Sequence, residues 1–465
     1  MTEEILTEKQ IKQQRRAAVV VVLLTSFTTS LIGSALNLSI PAIGAEFEVT
    51  ADTVGWMVTG FLLCIAAFSV PFGRWADITC RKTVLVVGMI IFICTCAGAV
   101  LAVNFTMLLI FRIIQAIGAA MVLASNMPIL VSAYPPQMRG KALGLGLASV
   151  YVGLSVGPVI GGVLNHQFGW RSIFVAAGSL MVITLVVAVA RVRREESEGK
   201  GKIKMDFGGS TLFVFFIALF MLGLSQIEKG LLPIIIAIIG LAIGFFFVHY
   251  EIHKSNPVLD VHLFKSNIGY TLSNIAALLN YAATFAIGYL TSIYLQVAQG
   301  YDSQTAGIIM IAQPLVMAIL TPKMGKLSDK YSPFKLSSLG MGFCALGTLF
   351  FVFVRTDTSL LYIIAALVIT GIGFAFFSSP NTNAILSCVD RKDYGVANSV
   401  VATMRSVGQS LSMVIVTIIV TFMLPGMQLA QTDPESLVRV INTAFMVFAA
   451  MCIIGIFISL KRKKE

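Results

Sequence analysis

Gly73-Arg74-Trp75-Ala76-Asp77 closes the second long apolar run of the chain, and Gly325-Lys326-Leu327-Ser328-Asp329 closes the tenth. Both set glycine and aspartate four apart in a short basic turn. A weaker echo pairs Pro128, Gly140 and Gly153 with Pro380, Gly395 and Gly408. Repeated halves of six helices are a transporter architecture. The offset between the copies leaves room for two more helices, placed at 209–250.

The composition agrees with that reading. Of 465 residues, 57% are hydrophobic and only 12% charged, so the chain must bury its apolar surface in lipid. A hydrocarbon core of roughly 30 Å takes about 20 apolar residues per helix. Fourteen stretches meet that length, among them 54–73, 231–250, 266–298 and 304–324. The expected fold is an all-α polytopic membrane protein, two six-helix halves plus two extra central transmembrane helices. The divisions are a cytoplasmic tail 1–16, an N-terminal six-helix bundle 17–191, a linker 192–208, the extra pair 209–250, a loop 251–265, a C-terminal six-helix bundle 266–460 and a basic tail 461–465.

Charge sets the orientation. Lys12, Arg15 and Arg16, then Arg74, Arg81 and Lys82, then Arg139 and Lys141 begin a series of basic loops that continues to Lys461-Arg462-Lys463-Lys464. The alternate loops hold only Arg171, Lys229, Arg355 and Arg439. Cytoplasmic loops carry the Lys/Arg excess, so both termini are expected in the cytoplasm, in a plasma (inner) membrane. The net charge of +11 is thereby topological, and no basic stripe or nucleic-acid motif accompanies it. Residues 1–16 are polar, and the apolar run after them is too long for a cleavable signal. The seven cysteines show neither zinc spacing nor a secreted disulfide pattern, so no metal is expected. No Walker sequence, hydrolase elbow or Rossmann glycine run is present. Enzyme chemistry, a catalytic residue and a cofactor are therefore not expected.

Gly73 to Asp77, with Ile78-Thr79-Cys80-Arg81-Lys82, resembles the loop motif of the major facilitator superfamily, G-x-x-x-D-x-x-G-R/K-R/K. Cys80 replaces the second glycine. A carboxylate there can pair with arginine or cap a helix N-terminus in the other half, which would hold one conformation and break in the other. Gly73, Asp77, Arg81, Lys82, Gly325 and Asp329 are the gating candidates. Gly153-Leu154-Ser155-Val156-Gly157-Pro158-Val159-Ile160-Gly161-Gly162 resembles the G-x-x-x-G-P-x-x-G-G motif of exporters in that superfamily, especially the fourteen-helix drug:proton antiporters. Gly157 and Gly161 share one helical face, where small residues admit another backbone, and Pro158 permits a bend. Arg112, in Arg112-Ile113-Ile114-Gln115-Ala116, resembles the R-x-x-Q-G motif. Arg405 is a basic residue about 15 Å deep in its span, as in the fourteen-helix family. Asn37 and Pro41 match the first-helix signature, but Ile32 stands where that family has aspartate.

No Asp or Glu is expected deep inside a span. Arginine in a membrane is costly and faces a partner or a wet cavity. Arg112 and Arg405 are the coupling or substrate candidates, with the neutral polar residues Asn37, Gln115, Asn126, Asn280, Tyr281, Gln313 and Asn381 expected to line a central cavity. The 32 Phe and 20 Met suit a greasy, adaptable pocket. The resemblance implies a monomeric exporter of small hydrophobic substrates, coupled to protons. With the deep charges both basic, a neutral or anionic substrate fits better than a dication. A lipid or lipid-linked flippase, an exporter of an anionic metabolite, and a non-transporting membrane sensor are the rival readings.

Overall fold

The computed structural model describes residues 8–37, 39–49, 51–192, 204–301, 303–424 and 433–462. Most of the predicted linker 192–208, residues 1–7 of the N-terminal tail, and Lys463 and Lys464 lie outside the described residues. The described elements are all helical. In chain order the first half comprises α1 (Glu8–Asn37), a short α2 (Ile40–Glu46), α3 (Ala51–Ile78), α4 (Arg81–Val100), α5 (Phe105–Ser132), α6 (Arg139–Phe168) and α7 (Arg171–Arg191). Then come α8 (Phe207–Ser225), α9 (Leu231–Ile252) and a short α10 (Val261–Ser266). The second half comprises α11 (Ile268–Thr284), α12 (Ala286–Ile293), α13 (Ser303–Met310), α14 (Ala312–Ser328), α15 (Pro333–Val352), α16 (Leu360–Ser387), α17 (Tyr394–Met423) and α18 (Pro434–Leu460). Among the described residues fourteen spans are long and apolar enough to cross a membrane.

Several predicted ends move. The run 266–298 is a broken span, α11 then α12, finished by a π-helical turn at Tyr294–Ala298. The tenth span breaks at Ile311 and continues to Ser328. α3 continues past Gly73 to Ile78, so Asp77 is a buried helical residue rather than a loop residue. α9 likewise continues past residue 250 and carries Glu251, buried in its last turn.

Burial follows the lipid. Phe245, Leu361 and Phe422 are 77%, 77% and 84% exposed, as side chains facing hydrocarbon are. Each half keeps its own apolar core, one around Phe92 and Phe174, the other around Phe445 and Phe448. A third core, around Tyr151 and Tyr281, joins the halves. The halves meet along two seams, α6 on α14 and α17 on α3. The α8–α9 hairpin lies against α3 and α17, beside the second seam. Glycines close the hairpin: a Cβ at Gly240 would lie 2.5 Å from the Phe220 amide nitrogen, and one at Gly223 would lie 2.5 Å from that of Ala237.

Candidate functional site

The basic-loop end is closed by two matching contacts. The first backbone N–H groups of any helix lack intrahelical acceptors and carry the positive end of its dipole. Asp77, at the end of α3, accepts from Gly395 and Val396 at the start of α17, at 3.0 and 2.8 Å. Asp329, just after α14, accepts from Gly140 and Lys141 at the start of α6, at 2.6 and 2.8 Å. Each carboxylate thus caps a helix of the opposite half.

The glycines make these caps sterically feasible. A Cβ at Gly73 would lie 2.6 Å from the Gly395 carbonyl, and one at Gly325 would overlap that of Gly140. Arg81 bonds Asp77 at 2.8 Å and reaches the Arg391 carbonyl of the other half at 2.7 Å. Arg74 pairs with Asp393 across the same seam at 3.6 Å. Burial pushes the Asp329 carboxyl above its usual range, and the amides of Lys141 and Gly140 with the Lys141 charge pull it back only in part. Lys82 does something else. Its ammonium donates to the Val189 and Val192 carbonyls, capping the end of α7 within its own half.

The G-x-x-x-G-P-x-x-G-G segment packs α6 onto α1. A Cβ at Gly153 would sit 2.7 Å from the Phe27 carbonyl, one at Gly157 would overlap the Ser34 hydroxyl, and one at Gly161 would lie 2.6 Å from Ala35 Cβ. Ser34 also donates to the Gly153 carbonyl at 3.4 Å. Pro158 lies inside the continuous α6, and Gly162 is only partly buried. The second half repeats the arrangement, where a Cβ at Gly408 of α17 would lie 2.7 Å from the Leu278 carbonyl of α11.

The two deep arginines differ. Arg112 is 2% exposed, donates to Gln115 Oε1 at 2.5 Å and lies 4.3 Å over the Phe61 ring. Gln115 donates in turn to the Cys96 sulfur at 2.9 Å, so this group is closed within the first half. Arg405 lies deep in its span yet is only partly buried. Its guanidinium is 5.2 Å over the Tyr281 ring, and its Nε, like that of Arg112, has no partner. Tyr151, on α6 of the other half, is within electrostatic reach of both. Phe374 lies 6.2 Å from Tyr281. One cation and three aromatic rings therefore meet between the halves, about 16 Å along α17 from its start, near mid-membrane.

Most of the neutral polar residues do not join them. Asn126 donates to Ser26 of α1 at 3.2 Å and accepts from the Met127 amide. Asn280 donates to the Met341 sulfur at 3.2 Å. Asn381 donates to the Ser273 carbonyl at 3.1 Å and accepts from Arg462 at 2.6 Å. Gln313 is partly buried, with its backbone against Gly371. Asn37 ends α1, and its side chain, with that of Pro41, lies outside the described residues. The peripheral Glu46 holds Arg171 and the Trp170 indole, each at 2.7 Å. Tyr151 was not singled out by sequence; its only signal is its place seven residues after Gly144, on the face of α6 that meets α14 of the other half. Among the described residues no group of His, Cys, Asp and Glu is arranged to hold a metal.

A sequence model described as Major Facilitator Superfamily matches residues 22–412 and 273–465. The chain is 28% identical over 433 residues to the riboflavin transporter RibZ of Clostridioides difficile, covering 93% of this chain and 94% of that one. It is 25% identical to the lincomycin resistance protein LmrB of Listeria monocytogenes, covering 93% of each. It is also 25% identical to the multidrug resistance protein Stp of Mycobacterium tuberculosis, covering 86% of this chain and 75% of that one. The crystal structure of the human organic anion transporter MFSD10 shares the fold with a TM-score of 0.69 at 11% identity, covering 97% and 99% of the two chains.

Proposed function

The chain belongs to the major facilitator superfamily, and from that premise we propose a secondary active exporter of small hydrophobic molecules, of the fourteen-helix drug:proton antiporter type. It works as a monomer in the plasma (inner) membrane, with both termini in the cytoplasm, and draws on the proton gradient. The matched caps of Asp77 on α17 and Asp329 on α6 carry the reading. They join the halves at one end only, so releasing both opens that end while the halves pivot. The riboflavin, lincomycin and multidrug relatives support a small organic substrate. The Arg405, Tyr281, Tyr151 and Phe374 cluster favours a planar molecule, neutral or anionic, by stacking and charge.

Purified protein in liposomes, with an imposed pH gradient and matched cationic, neutral and anionic aromatic compounds, tests this. Flux of the neutral and anionic compounds that collapses with the gradient is the expected result; flux indifferent to the gradient, or confined to cations, refutes it. A lipid flippase is the second reading, favoured by an apolar cavity of about 390 Å³ between the hairpin and the body, lined by Val70, Phe213, Phe247, Phe264, Val400 and Met404. A labelled phospholipid moving between leaflets in the same vesicles would replace the first reading with this one.

A further inference from the structure

The hairpin carries a charged group that neither the gating contacts nor the arginine cluster uses. Glu251, in the last turn of α9, is 1% exposed. Its Oε2 accepts from the Leu259 amide at 3.3 Å, and its Oε1 has no partner. Asp206, the residue before α8, accepts at Oδ1 from the Gly209 amide at 2.9 Å and from the Tyr250 phenol at 3.4 Å. Its Oδ2 is buried and also has no partner. Both orphaned oxygens converge on Gly209. A Cβ there would overlap Glu251 Oε1 and lie 3.2 Å from Asp206 Oδ2. Glycine at this position is what leaves the socket open.

Two acceptors facing each other without a donor are unstable as two anions, since burial and like charge both oppose it. One proton placed between them supplies the missing donor and removes one charge. The Val258 amide also lies toward Glu251, but Oε1 stays without a hydrogen bond, and the charged groups that face the pair do not supply the donor. Arg74 of α3 acts on Glu251 only through its charge, and its own ion pair is with Asp393 at 3.6 Å. Lys254 is drawn toward both acids, yet its ammonium stands 4.4 Å over the Tyr250 ring. His253 is turned to the His249 carbonyl, His262 of α10 to that of Ile252, and Asp260 to the His262 amide.

We propose that Asp206 and Glu251 form a proton-binding site, sharing one proton across the socket at Gly209, and that this proton sets whether the hairpin lies quietly against the α3–α17 seam. Loss of the proton leaves a second anion beside Arg74. Glu251 then competes with Asp393 for that guanidinium, next to the point where Asp77 caps α17. Protonation of the pair and closure of that seam are linked through Arg74.

The test needs no transport assay, so it stands apart from the exporter reading. Infrared difference spectra of the whole chain in nanodiscs, recorded across pH, count protonated carboxyls. The wild type should show one carboxyl band at neutral pH, titrating as a single proton. Glu251→Gln should remove it. Asp206→Asn, which leaves one acid without its rival, and Gly209→Ala, which fills the socket, should move its titration toward lower pH by a unit or more. Amide exchange at Gly395 and Val396, corrected for intrinsic rate, should rise with pH in the wild type and stay flat in Glu251→Gln. No protonated carboxyl at neutral pH, or the same band in Glu251→Gln, overturns the assignment. So does a site that answers to sodium ions and not to pH.

Discussion

Asp77 and Asp329 show how far a single side chain can act in this molecule. Each is an acid on one half that completes the first turn of a helix on the other, and hydrogen bonds to a charged acceptor are worth about 1.5–3 kcal/mol. Asp77→Asn keeps the shape and loses the charge. It should speed amide exchange at Gly395 and Val396 by about tenfold to a hundredfold, since each 1.4 kcal/mol is a factor of ten, while Gly140 and Lys141 change little. Asp329→Asn should do the reverse. Exchange read by mass spectrometry at those four amides decides it, and equal effects at both helix starts in either variant would refute independent caps. The carboxylates themselves were legible, because glycine and aspartate recur at the same spacing in two basic turns. Their partner amides were not, lying 318 and 189 residues away in sequence. Lys82 was read as part of the same device from its place in the motif, but a cation next to the exposed carbonyls at the end of α7 is held by that dipole instead.

At the scale of one helix, α6 shows what the glycines of its G-x-x-x-G-P-x-x-G-G segment do. Gly153, Gly157 and Gly161 form a smooth strip along which α1 lies, so that backbone meets backbone with no intervening side chain. Lipid offers no hydrophobic drive to press helices together, so this close fit is itself the adhesive. Overpacking costs about 1–3 kcal/mol per inserted group. Gly161→Val should therefore lower the melting temperature in detergent and cut transport at least tenfold, with membrane insertion intact. Gly162→Val, on the partly exposed side, should leave both near the wild-type values. Matching losses in the two variants would mean that the strip is not what matters. The motif resemblance pointed to this strip, and apolar run length located most of the spans. It failed at the ends, where α9 runs on into Glu251 and α3 into Asp77, because a charged residue reads as the start of a loop until something is seen to satisfy it. The amides of Asn126, Asn280 and Asn381 misled in the opposite sense. Polarity inside a membrane suggests a cavity, but here those groups bond across neighbouring helices of their own half.

For the molecule as a whole, the question is which deep charge meets the cargo and which holds the scaffold. Arg112 is enclosed by Gln115 and Phe61 within one half, whereas Arg405 stands over Tyr281 and within electrostatic reach of Tyr151 of the other half. A rocking motion leaves contacts inside each half intact and remakes those between them. Arg112 should then behave as a structural member of its half, and Arg405 as a group that the substrate sees. Replacing Arg405 by glutamine should depress the flux of an anionic compound by about tenfold or more relative to its neutral analogue, in keeping with the loss of one charge-assisted contact. Replacing Arg112 by glutamine should depress both compounds alike, and by more than neutralising the peripheral Glu46. Initial rates for such a matched pair in proteoliposomes separate the two roles, because a scaffold defect scales every substrate by one factor while a lost recognition charge changes their ratio. An unchanged ratio in Arg405→Gln would return that arginine to the scaffold and leave recognition to the aromatic rings around it.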